Sequence, residues 1–286
     1  MKPELIRTIA NMRRRLELGR IRGRRIALVP TMGALHAGHT SLFDAAKDHG
    51  DVVVATMFVN PRQFDDQGDL DRYPRTPDVD RAVAEAHGVD CLIEPTLAAM
   101  WPDYPGPTPT TVTVRGLSDV LEGAHRPGHF DGVASVVAKL LTVTGPCRVY
   151  FGEKDFQQLA VIRQMVRDLS FAVDVVGCGI VRDADGLALS SRNVLLGEDA
   201  RQRALALSRA LATVTAAPAS ASEHRRTLRE IVSGAGLDVI YADVVDPVTF
   251  APSGDAESGD ARALVAARID GVRLIDNGPV VLKGEP

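Results

Sequence analysis

Residues 25–39 read RIALVPTMGALHAGH, residues 38–49 continue as GHTSLFDAAKDH, and residues 51–59 read DVVVATMFV. The first segment opens with a short apolar run, residues 25–30, that predicts a buried strand. Residues 38–49 predict a helix, and residues 51–59 a second, near-continuous apolar strand. Runs that are apolar on both faces suit parallel strands covered by helices on each side.

Outward from this unit the alternation persists. Residues 78–87 predict a helix, 91–94 a strand, 129–141 an apolar helix, 148–151 a strand, 155–169 a helix and 172–176 a strand. This repeated order predicts an α/β fold with a doubly wound parallel sheet of the Rossmann-like kind. Val133, Val136 and Val137 recur at i, i+3 and i+4, the spacing of a helix face packed on a core. After about Val181 the texture changes. Residues 199–216 and 222–233 predict helices rich in alanine or charge, and 237–245, 262–269 and 274–276 short strands. Residues 216–222 read as a loop and 252–259 as a polar turn. Two domains are expected, 1–180 and a smaller α+β unit, 181–286.

A net charge of −4 offers no broad basic field for nucleic acid. The arginine cluster within residues 13–25 reads as a solvated face on a first helix and the turn after it. Cys91, Cys147 and Cys178 are odd in number, widely spaced and lack a C-x-x-C pair. That argues against a disulfide framework or structural zinc and for a reducing, cytoplasmic setting. No stretch has the apolar length of a membrane span, and residues 1–25 mix Leu and Ile with many charges. The G-x-G-x-x-G, Walker A and G-x-S-x-G strings of dehydrogenases, P-loop ATPases and serine hydrolases are missing.

The chemistry concentrates in PTMGALHAGH, residues 30–39, which starts where the first strand ends and runs into a helix. In open α/β sheets ligands gather at the carboxyl ends of strands, and a helix start offers N–H groups to phosphate. Gly33 and Gly38 permit close backbone approach. His36 and His39, three apart, project from one side of the first turn. Two imidazoles there can donate hydrogen bonds to a triphosphate as charge moves onto leaving pyrophosphate.

This string resembles the H-x-G-H signature of the nucleotidyltransferase superfamily, and in its longer form it resembles the pantoate–β-alanine ligase family. Four further segments agree in chain order: FVNPRQF (58–64), RYPRT (72–76), GEKDFQQ (152–158) and SSRN (190–193). The matches span residues 30 to 193, and the C-terminal third is similar in general texture only.

The resemblance implies an ATP site lined by Met32, Gly33, Ala34, Leu35, His36, Ala37, Gly38 and His39, by Gly152, Glu153, Lys154 and Asp155, and by Val181, Leu189, Ser190, Ser191 and Arg192. His36, His39, Lys154, Ser190, Ser191 and Arg192 carry catalysis in this reading. Gln63, Gln158 and Asn60 hold pantoate, and part of the Val133–Val137 face walls its gem-dimethyl group. The residue types suit these roles. Gln63 offers both a donor and an acceptor to a hydroxy acid, Lys154 is a point cation for phosphate, and the SSRN loop can close over phosphates. Asp155 also suits a helix N-cap.

Four departures accompany the match: Ala37 stands where Glu is usual, Phe156 where Tyr is, Leu189 where Met is, and Val79 where an acidic residue often stands. ATP chemistry needs Mg²⁺, held mostly by phosphates and one or two carboxylates, and Asp80 is the candidate ligand. The implied reaction adenylates pantoate with ATP, releases pyrophosphate and transfers the acyl group to β-alanine, releasing AMP. The implied assembly is a homodimer whose smaller domain closes over the ATP site. Another H-x-G-H nucleotidyltransferase or a nucleotide-binding sensor are the competing readings.

Overall fold

The computed structural model describes residues 2–49 and 51–284; Met1, Gly50, Glu285 and Pro286, within the expected domain limits, lie outside the described residues. The chain divides into two compact units, Met1–Glu153 with Gln158–Gly179, and Lys154–Gln157 with Ile180–Pro286. In chain order the elements are β1 (Glu4–Ile6), α1 (Ile9–Ile21), β2 (Ile26–Thr31), α2 (Ala37–Asp48), β3 (Val52–Met57), α3 (Gln67–Arg72), α4 (Pro77–Ala86), β4 (Cys91–Ile93), α5 (Leu97–Met100), α6 (Glu122–His125), α7 (His129–Thr144), β5 (Cys147–Gly152), α8 (Phe156–Asp168) and β6 (Val173–Cys178). There follow α9 (Glu198–Ala204), α10 (Ala206–Thr215), α11 (Ala221–Gly234), β7 (Asp238–Val245), β8 (Gly259–Ile269) and β9 (Val272–Leu282).

The first unit is a six-stranded parallel sheet in the order β1-β4-β3-β2-β5-β6. The chain moves outward from β2 through β3 to β4, then returns to the other side of β2 with β5 and β6. The order therefore reverses between β2 and β5, where a doubly wound sheet opens a crevice beyond its carboxyl ends. Ala27, Val29, Val53 and Ala55 pack with Leu42, Phe43 and Ala46 of α2, while Ile26, Leu28 and Val54 are equally buried. Both faces are thus covered, as the unbroken apolar runs require; a buried side chain such as Phe43 contributes roughly 1.5–3 kcal/mol. The edge strand β1 escaped sequence reading because three residues show no periodicity.

The second unit sets α9, α10 and α11 on a three-stranded antiparallel sheet, β7-β8-β9. Leu207, Leu211, Leu228 and Val232 meet Val244, Ala263, Val265 and Val280 in its core. The predicted helix 199–216 is two helices, parted at Leu205. Strands β8 and β9 are longer than expected. Asp270 and Gly271, with φ of 49° and 78°, form the two-residue turn that joins them. Strand β9 runs past Pro279 because proline is tolerated on a sheet edge.

Candidate active site

Strand β2 delivers residues 32–39 to the carboxyl edge of the first sheet beside the reversal of strand order. The loop is held from below. Thr31 Oγ1 donates to Thr56 O at 2.6 Å and accepts from Gly33 N at 3.2 Å. Asp80, on the first turn of α4 and 2% exposed, then accepts from Ala34 N at 3.0 Å and from Leu35 N at 2.8 Å. Thr76 Oγ1 donates to the same carboxylate at 3.1 Å. A Cβ on Gly33 would meet Asp80 Oδ2 at 3.0 Å, and Gly33 has a φ of 83°, so glycine is required there. Ala34 sits at φ 50°, a left-handed conformation that costs about 1–2 kcal/mol; the two carboxylate bonds hold it there.

The two histidines cap the start of α2 reciprocally. Gly38 N donates to His36 Nδ1 at 3.1 Å, and His36 N donates to His39 Nδ1 at 3.3 Å. Their rings lie 4.1 Å apart, centre to centre. A neutral imidazole whose Nδ1 accepts carries its proton on Nε2. The backbone therefore sets both rings in the Nε2–H form. Sequence reasoning assigned phosphate to the backbone N–H groups of this helix start. In the structure those of Gly33 to His36, Gly38 and His39 donate within the protein.

A second cluster forms where the turn after β3 meets the first turn of α7. Asn60, 1% exposed, donates through Nδ2 to Gln63 Oε1 at 3.0 Å and to Gly132 O at 3.1 Å. Its Oδ1 accepts from Trp101 Nε1 at 2.9 Å and from Arg62 N at 3.3 Å. The whole Asn60 amide is thus spent on orienting Gln63 and its turn. A Cβ on Gly132 would lie 2.1 Å from Arg62 O, so only glycine lets α7 approach this closely. His129 Nδ1 donates to Gln63 O at 2.7 Å, and Arg126 Nη1 donates to His129 Nε2 at 3.2 Å. Burial and then the nearby Arg126 guanidinium press the His129 pKa down from 6.5 to about 4, keeping it neutral. Val133, Val136 and Val137 on the same helix are buried. Gly152 ends β5, Glu153 follows it, and Gln158 lies half-buried on α8.

The other expected residues belong to the second unit. Lys154 Nζ lies 3.6 Å from Asp155 Oδ1, and its carbonyl accepts from Asn277 Nδ2 at 2.8 Å. Phe156, where a tyrosine was expected, stacks beneath the Arg262 guanidinium at 4.1 Å and lies 5.8 Å from the Phe250 ring. Val181 and Leu189 close a tight turn through Leu189 N to Val181 O at 3.0 Å. Ser190 caps the short helical turn Ser191–Leu195 by accepting from Arg192 N at 3.3 Å. The half-buried side chains of Ser191 and Arg192 lie on that turn.

Sequence reasoning missed Trp101, His129 and Gly132 as supports of the Gln63 turn, and Asp276 and Asn277 in the second unit. The His-Phe-x-Gly run at the start of α7 was the available signal for the first group, since a glycine inside an apolar helix marks a close approach.

The profile of the Pantoate-beta-alanine ligase family matches residues 4–279. A pantothenate synthetase of Cereibacter sphaeroides is 46% identical over 282 residues, 97% of this chain and 100% of its own. That of Acidobacterium capsulatum is 49% identical over 269 residues, covering 92% and 87%. The solved pantothenate synthetase of Thermus thermophilus superposes with a TM-score of 0.88 at 43% identity, covering 96% and 98%. A Francisella tularensis pantoate-beta-alanine ligase, solved with beta-gamma ATP and beta-alanine, gives 0.80 at 31% identity, covering 96% and 97%. With a family profile and relatives of this identity running nearly end to end, the chain belongs to the pantoate–β-alanine ligase family.

Proposed function

We propose that this chain condenses (R)-pantoate with β-alanine at the expense of ATP, through a pantoyl-adenylate, and that the residues above divide the work as follows. A pantoate carboxylate oxygen attacks the α-phosphorus; the new O–P bond forms as the bond to the β-phosphate oxygen breaks, and pyrophosphate departs. The β-alanine amine then attacks the acyl carbon, loses a proton, and AMP leaves. Nothing here requires covalent attachment to the protein, so catalysis is positioning and charge stabilisation.

His36 and His39 donate from Nε2–H to phosphate oxygens, and Lys154, Ser190, Ser191 and Arg192 neutralise and bind the departing pyrophosphate. The family resemblance assigns Met32–Ala37, Gly38, Gly152 and Glu153 of the first unit, and Asp155, Val181 and Leu189 of the second, to the nucleotide. Gln63 and Gln158 bind pantoate. Because Gln63 Oε1 accepts from Asn60, its NH₂ is the donor presented to a substrate oxygen, and Asn60 acts by orienting it.

Mg²⁺ enters with the nucleotide as MgATP. Asp80 does not fit the ligand role expected of it. Three of the roughly four acceptor sites on its two oxygens are taken by the protein, and the residue is buried, which leaves little of the carboxylate for a metal ion. We assign Asp80 to the loop instead. No described helix is long and apolar enough to cross a membrane. Cytoplasmic location and a homodimer complete the proposal, supported by three free cysteines and by the family resemblance respectively.

The observation that supports this reading is the reciprocal histidine cap at the β2–α2 junction, which puts the proton of each imidazole on Nε2. The test is exchange of radiolabelled pyrophosphate into ATP with pantoate present and β-alanine omitted. Pantoate-dependent exchange is expected; its absence in active, folded enzyme rejects the adenylate.

A further inference from the structure

Strand β9 carries two adjacent buried polar residues that the reaction above does not use, Asp276 (3% exposed) and Asn277 (2%). Successive side chains of a strand point to opposite faces, so the pair reaches two different segments. Asn277 Nδ2 donates to the carbonyl of Lys154 at 2.8 Å. Its Oδ1 accepts from Arg262 Nε at 2.8 Å, and the same guanidinium lies over the ring of Phe156, two residues beyond Lys154. On the other side, Asp276 takes a two-pronged pair from Arg182, at 2.6 and 3.0 Å. Arg182 stands in the tight turn closed by Asp183 N to Leu187 O and Leu189 N to Val181 O, which leads directly into Ser190. Asn277 N donates to Asp276 Oδ1 at 2.8 Å, tying the two anchors together.

We propose that Asp276 and Asn277 are positioning residues for adenylation. Asn277 fixes the main chain of Lys154, and Asp276, through Arg182, fixes the strap that carries Ser190, Ser191 and Arg192. One rigid strand thereby sets two phosphate-handling segments within the second unit. This rests on the reading of Lys154 and residues 190–192 as phosphate-handling groups. Asparagine suits position 277 because it must donate to a carbonyl and accept from a guanidinium at once. Aspartate there would keep the acceptor but face a carbonyl oxygen with a carboxylate.

The test is a double-mutant cycle in pyrophosphate exchange with Asn277→Asp, Lys154→Ala and the double variant, all checked for folding by thermal melting. Asn277→Asp should lower the exchange kcat about tenfold, the loss expected when a buried carbonyl is left without its donor. In the Lys154→Ala background the same change should cost less than about twofold, because residues acting through one group are not additive. Asp276→Asn paired with Arg192→Ala should behave likewise. If exchange in Lys154→Ala falls below detection, MgATP affinity by calorimetry supplies the same cycle; if Asn277→Asp does not fold, Asn277→Ser replaces it. An equal loss in both backgrounds, or no loss at all, overturns the proposal. Near-normal exchange by Lys154→Ala alone instead rejects the assignment of Lys154, and with it this inference.

Discussion

Replacing Asp80 by Asn removes one charge and one acceptor from beneath the histidine loop while leaving the volume of the side chain. The carboxylate accepts from Ala34 N at 3.0 Å, Leu35 N at 2.8 Å and Thr76 Oγ1 at 3.1 Å. An asparagine oxygen at Oδ1 can keep the last two, but its NH₂ then confronts the N–H of Ala34, donor against donor. A buried donor left unsatisfied costs about 1–3 kcal/mol. Nothing then offsets the roughly 1–2 kcal/mol held in the positive φ of Ala34. A loop carrying about 2–5 kcal/mol of such strain relaxes, and the imidazoles of His36 and His39, two and five residues on from Ala34, lose their alignment. The expected outcome is a fall of about 10–100-fold in the kcat of pyrophosphate exchange. The KM for pantoate should change little, and amide exchange at Ala34 and Leu35 should accelerate. The dependence on free Mg²⁺ at saturating nucleotide is the deciding assay. Rescue of Asp80→Asn by excess Mg²⁺, with unaltered amide protection, would refute this reasoning and restore Asp80 to the metal.

Other perturbations probe the neighbouring supports. Gly132→Ala forces a Cβ against Arg62 O; overpacking of this kind costs about 1–3 kcal/mol, so thermal melting should fall and the KM for pantoate should rise more than that for ATP. His129 has a folded pKa of about 4 against 6.5 unperturbed. The unfolded chain therefore takes up the proton first, and up to about 3 kcal/mol of stability, complete above pH 6.5, is lost as pH falls toward 4. Urea midpoints measured across that window should fall steeply in the wild type and less in His129→Asn, which keeps a donor for Gln63 O; parallel slopes would contradict the assignment. His39→Ala removes both an acceptor for His36 N and an imidazole donor, so exchange should drop at least about 100-fold in a protein that still folds, as loss of a transition-state donor does.

The parts of this molecule that were legible in its sequence are those written in consecutive residues. Residues 25–30 and 51–59 read as buried parallel strands because their apolar runs leave no polar face, and H-x-G-H after a strand end stated its own chemistry. What escaped was the support. Asp80 lies 46 positions from Ala34, and a carboxylate in an ATP enzyme invites a metal assignment; only the packing of α4 under the loop reveals two backbone donors on it. Gly132 carries no signal of its partner in an apolar helix, and its reason is Arg62 O, which stands where a Cβ would be. Asp276 and Asn277 lay in the third of the chain whose texture said least, on a strand expected to end at Asp276.

These supports share a polarity. His36 and His39 each accept a backbone N–H at Nδ1, and Gln63 accepts from Asn60 at Oε1. The acceptor end of each side chain is therefore occupied by the protein itself, and the opposite end of each is a donor. Three groups that in isolation could face either a donor or an acceptor are thus set as donors at their outer ends. In the proposed reaction such donors suit a carboxylate and a triphosphate, and groups ordered in this way need not reorganise as charge moves onto pyrophosphate. The long-range contacts that sequence reading could not see are what convert ambivalent side chains into a directed set of donors.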